Sequence, residues 1–194
     1  TMLTYQAVRA CERFTGRPVP AERAREAERA LRRAVTGLAL VGMPGAGKST
    51  LGVVLAKRLG YRFVDTDLLL QEGMGMLLSD LIEQRGIEGF IEEENKLLAG
   101  LRCSHHVIAT GGSAVYSEQG MENLKKLGRV VFIDIDMTEL PKRLHTDLFT
   151  RGVVIRSGST LQDLYDERRP LYQKYADITV NTVGLSTLEA VAAF

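Results

Sequence analysis

From Gly37 onward, short apolar runs alternate with segments of helical length and mixed polarity. The runs are Leu38–Val41, Arg62–Val64, Val107–Ala109, Val130–Ile135 and Ile178–Val180, and each reads as a strand. Parallel strands need long crossovers, and a helix-length segment separates every pair of runs. The pattern therefore predicts an α/β fold, a five-stranded parallel sheet flanked by helices in three α/β/α layers. In such a sheet ligands bind beyond the C-terminal ends of the strands, so any chemistry should follow a strand.

The last helix is announced by Ser186-Thr187-Leu188-Glu189, a capping-box pattern in which Ser and Glu satisfy otherwise unpaired amides. Residues 1–36 stand outside the alternation. After Pro18 and Pro20, Ala21 to Val35 puts Ala24, Ala27, Leu31 and Ala34 on one helical face, which predicts an extra N-terminal helix with a thin apolar stripe. The sequence thus divides into a helical extension, 1–36, and one domain, 37–194, with no internal repeat.

Charge sharpens that division. Residues 1–36 hold eight Arg, no Lys and four Glu, so they carry about +4 and the remainder about −3. The acidic residues argue against a transit peptide. The extension is either a solvated helix or one that engages a protein partner, and the sequence names no such partner. Over the whole chain the net charge is +1, with 25% charged residues, so no overall field recruits nucleic acid or an anionic membrane. A small soluble ligand is the expectation. Cys11 and Cys103, far apart and outside any metal spacing, are expected as free thiols. No apolar run nears the roughly 20 residues of a membrane helix, and no signal-peptide stretch opens the sequence, so a cytoplasmic location is expected.

The chemistry begins after the first strand. Gly42-Met43-Pro44-Gly45-Ala46-Gly47-Lys48-Ser49-Thr50 satisfies GxxxxGK[ST] and is followed by a helical pattern, Lys48 to Leu59. Glycines let backbone amides turn toward phosphate oxygens, Lys48 reaches the β- and γ-phosphates, and the Ser49 hydroxyl can coordinate Mg²⁺. This predicts ATP binding through Gly45, Ala46, Gly47, Lys48, Ser49 and Thr50.

Asp65-Thr66-Asp67 comes immediately after the second strand and Thr110-Gly111-Gly112 after the third; Arg168-Arg169-Pro170-Leu171-Tyr172 and Ala176-Asp177 precede the fifth. In order and spacing these motifs, with the phosphate loop, resemble the shikimate kinase family over roughly residues 37 to 194. The resemblance implies a P-loop kinase fold of the nucleoside-monophosphate-kinase type. It also implies transfer of the ATP γ-phosphoryl to a hydroxyl of a small carboxylated alcohol, shikimate first, in aromatic amino-acid biosynthesis.

By that resemblance Lys48, Asp67 and Arg151 are the catalytic residues, and Ser49 and Asp65 serve Mg²⁺. Asp67, Gly111, Gly112 and Arg168 then bind the acceptor. Asp67 would take the hydroxyl proton, and the planar fork of Arg168 suits a carboxylate. The acceptor-binding subdomain falls at about 68–102, where Gly73-Met74-Gly75-Met76 reads as a hinge or as flexible core filling. A lid falls at about 146–159, where Arg151 precedes Gly152 instead of the family's Pro. Val130-Val131-Phe132-Ile133-Asp134 mimics the apolar-run-plus-Asp metal motif of other P-loop proteins, but the resemblance implies that this fourth strand lies off the metal.

Three departures concern the ligand pocket. In Gly86-Ile87-Glu88-Gly89-Phe90-Ile91-Glu92-Glu93-Glu94, Ile91 stands where the family has Arg, although Phe90 and Glu94 are kept. Ser113 replaces a third glycine, and Val183 to Leu185 lacks the basic residue often set against adenine. Two further readings follow: a related kinase with a different hydroxyl acceptor, and a non-catalytic ATP-binding regulator.

Overall fold

The structure is a computed structural model that describes residues 9, 10, 12, 13, 16, 18–26, 37–144 and 158–192. It divides into two units, Thr1–Thr36 and Gly37–Phe194. In the first, the N–H of Gly16 donates to the Glu12 carbonyl at 2.9 Å, with Gly16 at φ 66°, the left-handed turn that ends a helix. Residues 21–26 form a second helical segment whose first turn closes from the Ala24 N–H to the Pro20 carbonyl at 3.1 Å. The Glu12 carboxylate ties the two together, accepting from the Val19 N–H at 3.2 Å. The extra helix expected at Ala21 to Val35 is thus described over 21–26, and its remainder lies outside the described residues.

The second unit is built on five strands, β1 (Gly37–Val41), β2 (Arg62–Asp65), β3 (His106–Ala109), β4 (Gly128–Asp134) and β5 (Ile178–Asn181). All pair in parallel, in the order β2-β3-β1-β4-β5. The central strands carry the longest apolar runs because helices cover both of their faces: Ala39, Leu40, Val41, Val107, Ile108 and Val130 to Ile133 are all buried. The edge strands β2 and β5 are exposed at Arg62, Thr179 and Asn181.

The helices are α1 (Lys48–Leu59), α2 (Thr66–Met74), α3 (Leu78–Gly100), α4 (Glu118–Leu127), α5 (Leu140–Arg143), α6 (Leu161–Tyr175) and α7 (Thr187–Ala192). α3 bends sharply at Gly86, where φ 70° and ψ 177° leave the helical region, so its second half aims Phe90 and Glu94 inward. A small apolar cluster, Leu70, Leu78, Leu81 and Phe90, holds α2 to α3, with Met74, Met76 and Ile91 packed on it. The methionines of the Gly-Met-Gly-Met stretch thus fill core. The predicted capping box opens α7, with the Ser186 N–H donating to Glu189 Oε2 at 2.8 Å. A second box, Thr160 with Asp163, opens α6.

Strand order gathers the motifs. β2, β3 and β1 are neighbours, so the segments that follow them, 65–67, 110–112 and 42–50, emerge side by side on one edge of the sheet. Among the described residues no helix is long and apolar enough to cross a membrane.

Candidate active site

A cleft of about 470 Å³ opens on that edge, lined by Gly45 to Leu51, Asp67, Thr110 to Ser113 and Arg168 among others. On one side the loop after β1 wraps into α1. Gly45 and Gly47 hold φ 80° and 89°, which an L side chain rarely adopts, and this turns the loop amides into the cleft. Lys48 is buried and donates from Nζ to the carbonyls of Gly42 and Met43, both at 2.9 Å. An open helix N-terminus, inward amides and a buried ammonium together can cradle polyphosphate.

Beside the loop, the Ser49 hydroxyl donates to Asp65 Oδ2 at 2.6 Å, and Asp65 Oδ1 caps α2 by accepting from the Asp67 N–H at 3.0 Å. A hydroxyl and a carboxylate this close, next to a phosphate cradle, form an oxygen donor set suited to Mg²⁺. The capping geometry also holds Asp67 on the first turn of α2, facing the cleft.

The acceptor-facing side is made of side chains. Arg168, on α6, is 1% exposed despite its charge. Its Nε–H donates to the Tyr116 hydroxyl at 3.1 Å, and its guanidinium lies 5.0 Å from the Tyr116 ring centroid. Tyr172, stacked on Phe132 at 5.2 Å, donates to the Gly112 carbonyl at 2.6 Å and fixes the turn after β3. That turn is also held from behind, the Gly111 N–H donating to the Thr66 hydroxyl at 3.2 Å. Gly112 fits because a Cβ there would press to 2.8 Å from Pro44 Cδ and 3.1 Å from an Arg168 terminal nitrogen. At Gly111 a Cβ would collide with Glu94 Oε1 and stand 2.7 Å from Asp67 Oδ1.

Glu94 is 2% exposed, and its Oε1 has no hydrogen-bond partner, the only such side-chain atom among the described buried groups. Burial pushes its carboxyl up to about 7, opposed by a hydrogen bond from Ser113 and reinforced by Asp67. Burial likewise raises Asp67 to about 6, with Lys48 pulling it down and Asp65 pushing it up. Lys48 is brought down to about 8, chiefly by burial, against the attraction of Asp67. Lys48 and Asp67 on the cleft wall, with Glu94 buried beside them and all three shifted toward neutrality, can move a proton at physiological pH.

The sequence-predicted loop residues, Asp65, Asp67, Gly111, Gly112 and Arg168, come together here. Arg151 and most of the 146–159 stretch lie outside the described residues. Asp134 is held by Arg169, Nε to Oδ1 at 3.2 Å and a terminal nitrogen to Oδ2 at 2.8 Å, a forked pair that ties α6 to the end of β4. Asp177 anchors backbone, accepting from the Val130 N–H at 2.8 Å. Ile91 is half-buried and shares with Ile87, Tyr116, Leu164 and Arg168 a side pocket of about 150 Å³.

Sequence reasoning missed Tyr116 and Arg143, which lines the cleft and donates to the Thr182 carbonyl at 3.4 Å. Neither belongs to a spaced motif. Glu94 was legible only as a position shared with the family; its burial needed the bend at Gly86.

A family model described as "Shikimate kinase" matches residues 44–194. A second, described as "Shikimate 5'-dehydrogenase C-terminal domain", matches residues 1–27. The shikimate kinase of Synechococcus sp. (strain RCC307) is 38% identical over 152 residues, 77% of each chain. That of Thermobifida fusca (strain YX) is 36% identical over 144 residues, 74% of this chain and 83% of that one. Among solved structures, the shikimate kinase from Acinetobacter baumannii in complex with shikimate superposes with a TM-score of 0.70 at 26% identity, covering 84% of this chain and 93% of that one.

Proposed function

The chain belongs to the shikimate kinase family, and from that premise we propose that its cleft transfers the γ-phosphoryl of ATP to a hydroxyl of shikimate. The convergence of Lys48, Asp67 and Arg168 on one 470 Å³ cleft carries this reading. The loop amides and Lys48 bind and orient the polyphosphate. Asp67, within the field of Lys48, receives the acceptor's hydroxyl proton as the oxygen bonds to phosphorus. Ser49 and Asp65 would hold Mg²⁺, which would neutralise phosphate charge when bound.

Arg168 offers the acceptor a guanidinium that Tyr116 holds in place, which suits a carboxylate. The unpartnered Oε1 of Glu94 suits a second group, a hydroxyl donor, so the acceptor is an acid with several hydroxyls. Ile91, where the family has Arg, offers a carboxylate no charge-assisted contact, which leaves that role to Arg168. A lid at 146–159 carrying Arg151, and an acceptor-binding segment at about 68–102, complete the reading by family pattern.

The test is ADP release with shikimate beside a panel of other hydroxy acids and polyols. Turnover with shikimate above every other acceptor is the expected result. Preference for another acceptor would move the assignment to a related kinase, and tight ATP binding without any turnover would make the chain a regulator.

A further inference from the structure

The first 27 residues match a model of their own, the closing domain of a shikimate 5'-dehydrogenase, and the kinase match begins only at residue 44. The boundary between the two structural units, Thr36 to Gly37, falls in the gap between the matches.

The unit also lacks the marks of a spacer. A flexible linker is rich in Gly and Ser, and a leader is poor in acid. Residues 1–36 instead hold four Glu against eight Arg, and one of those acids has a structural duty. Glu12 accepts from the Val19 N–H at 3.2 Å, pairs with Arg9 at 3.7 Å, and gives its carbonyl to the Gly16 turn. These bonds fix a helix, a turn and a second helix, a small built motif.

We propose that residues 1–27 are the closing segment of a dehydrogenase domain fused ahead of the kinase, so that one polypeptide carries out two successive reactions. In the first, hydride passes from C4 of a dihydronicotinamide to a ketone carbon, the carbonyl oxygen takes a proton, and oxidised nicotinamide leaves. The product is an alcohol. In the second, a hydroxyl oxygen of that product bonds to the γ-phosphorus, the bond to the β,γ-bridging oxygen breaks, the hydroxyl proton goes to Asp67, and ADP leaves. The order of the two steps rests on shikimate being the kinase acceptor; the fusion does not.

The test begins with the reading frame ahead of Thr1 and with the native polypeptide captured by an antibody to the kinase unit. The expected polypeptide is well above 21.4 kDa and reduces NAD⁺ or NADP⁺ when given shikimate, with no ATP present. Deleting residues 1–27 from it abolishes nicotinamide reduction and leaves ADP release. Since that deletion could unfold more than intended, Glu12→Ala provides a milder arm: it lowers the temperature at which nicotinamide reduction is lost and leaves that of ADP release unchanged. A native polypeptide of 21.4 kDa, or a longer one that reduces neither nicotinamide with shikimate, overturns the proposal. Reduction of nicotinamide without phosphoryl transfer would sink the kinase reading and leave the fusion standing.

Discussion

The phosphate-facing half of the cleft is made from consecutive backbone amides of one loop, Gly45 to Ser49, whereas the acceptor-facing half is made from side chains of Asp67, Phe90 and Arg168 on three separate helices, with Glu94 buried beside Gly111 and Tyr116 holding Arg168 from behind. The first half needs only a strand, two left-handed glycines and a helix start, all contiguous in the chain. The second depends on a bent helix, a turn pinned by Tyr172 and a buried guanidinium brought in from 52 residues beyond Tyr116. A contiguous site keeps its chemistry as the rest of the fold drifts. A site assembled from distant parts can lose one contact through one residue, as with Ile91 at the position where the family has Arg.

The comparison can be broken first at Asp67. Asp67→Asn keeps the cap from Asp65, so the helix start survives while the proton acceptor is gone. ADP release should fall by ~10²–10⁴-fold with ATP affinity unchanged. In the parent protein kcat/KM should decline as pH falls through about 6, because Asp67 is then protonated and cannot take the hydroxyl proton; the residual rate of the variant should lack that limb. A loss under tenfold would remove Asp67 from the chemistry. Lys48→Met comes next, with a loss of ~10²–10³-fold expected from a removed charge contact to the transferring group. It should weaken ATP binding as well, which separates it from Asp67→Asn in a titration with nucleotide.

On the acceptor side the effects are smaller. Arg168→Lys keeps the charge and loses the fork, so the acceptor KM should rise by about 10–100-fold, the scale of a charge-assisted bond of roughly 1.5–3 kcal/mol. The KM for ATP should stay put; a change in both would mean that the halves are not separable. The smallest effect is thermodynamic. Burial pushes the Glu94 carboxyl up to about 7 in the folded protein from the ordinary 4.5, so the native state holds a proton that the unfolded chain releases between those values. Parent stability therefore falls as pH rises through that window and is level above it. Glu94→Gln lacks the penalty, so its stability relative to the parent should improve by on the order of 1–3 kcal/mol from about pH 4.5 to about pH 8. A denaturant titration at both pH values checks this, and a constant difference would refute the buried charge.

What could be read from the sequence follows the same split. The five apolar runs gave every strand to within two residues, most plainly the central ones, because strands buried on both faces leave an uninterrupted apolar signature. The glycine spacing gave the loop, and the Asp-Thr-Asp gave both acids, since each is a local pattern after a strand. Choosing Arg168 over its neighbour required the family pattern; in the structure adjacent helix residues face apart, so Arg168 lines the cleft while Arg169 pairs with Asp134. Tyr116 could not be found that way. Its value lies in a contact across the fold, which no local spacing encodes. The burial of Glu94 was hidden for a related reason, because an unbroken helix through Gly86 would aim that face elsewhere.

Gly111 sits with Glu94 Oε1 and Asp67 Oδ1 against the place where a side chain would grow. Any mutation there would wedge two acids apart before it altered what lies in the cleft. A lineage drifting toward a new acceptor could vary Ile91 or Ser113 while Gly111 stayed fixed. Invariance at Gly111 among descendants would then record the room that the two carboxylates need beside it.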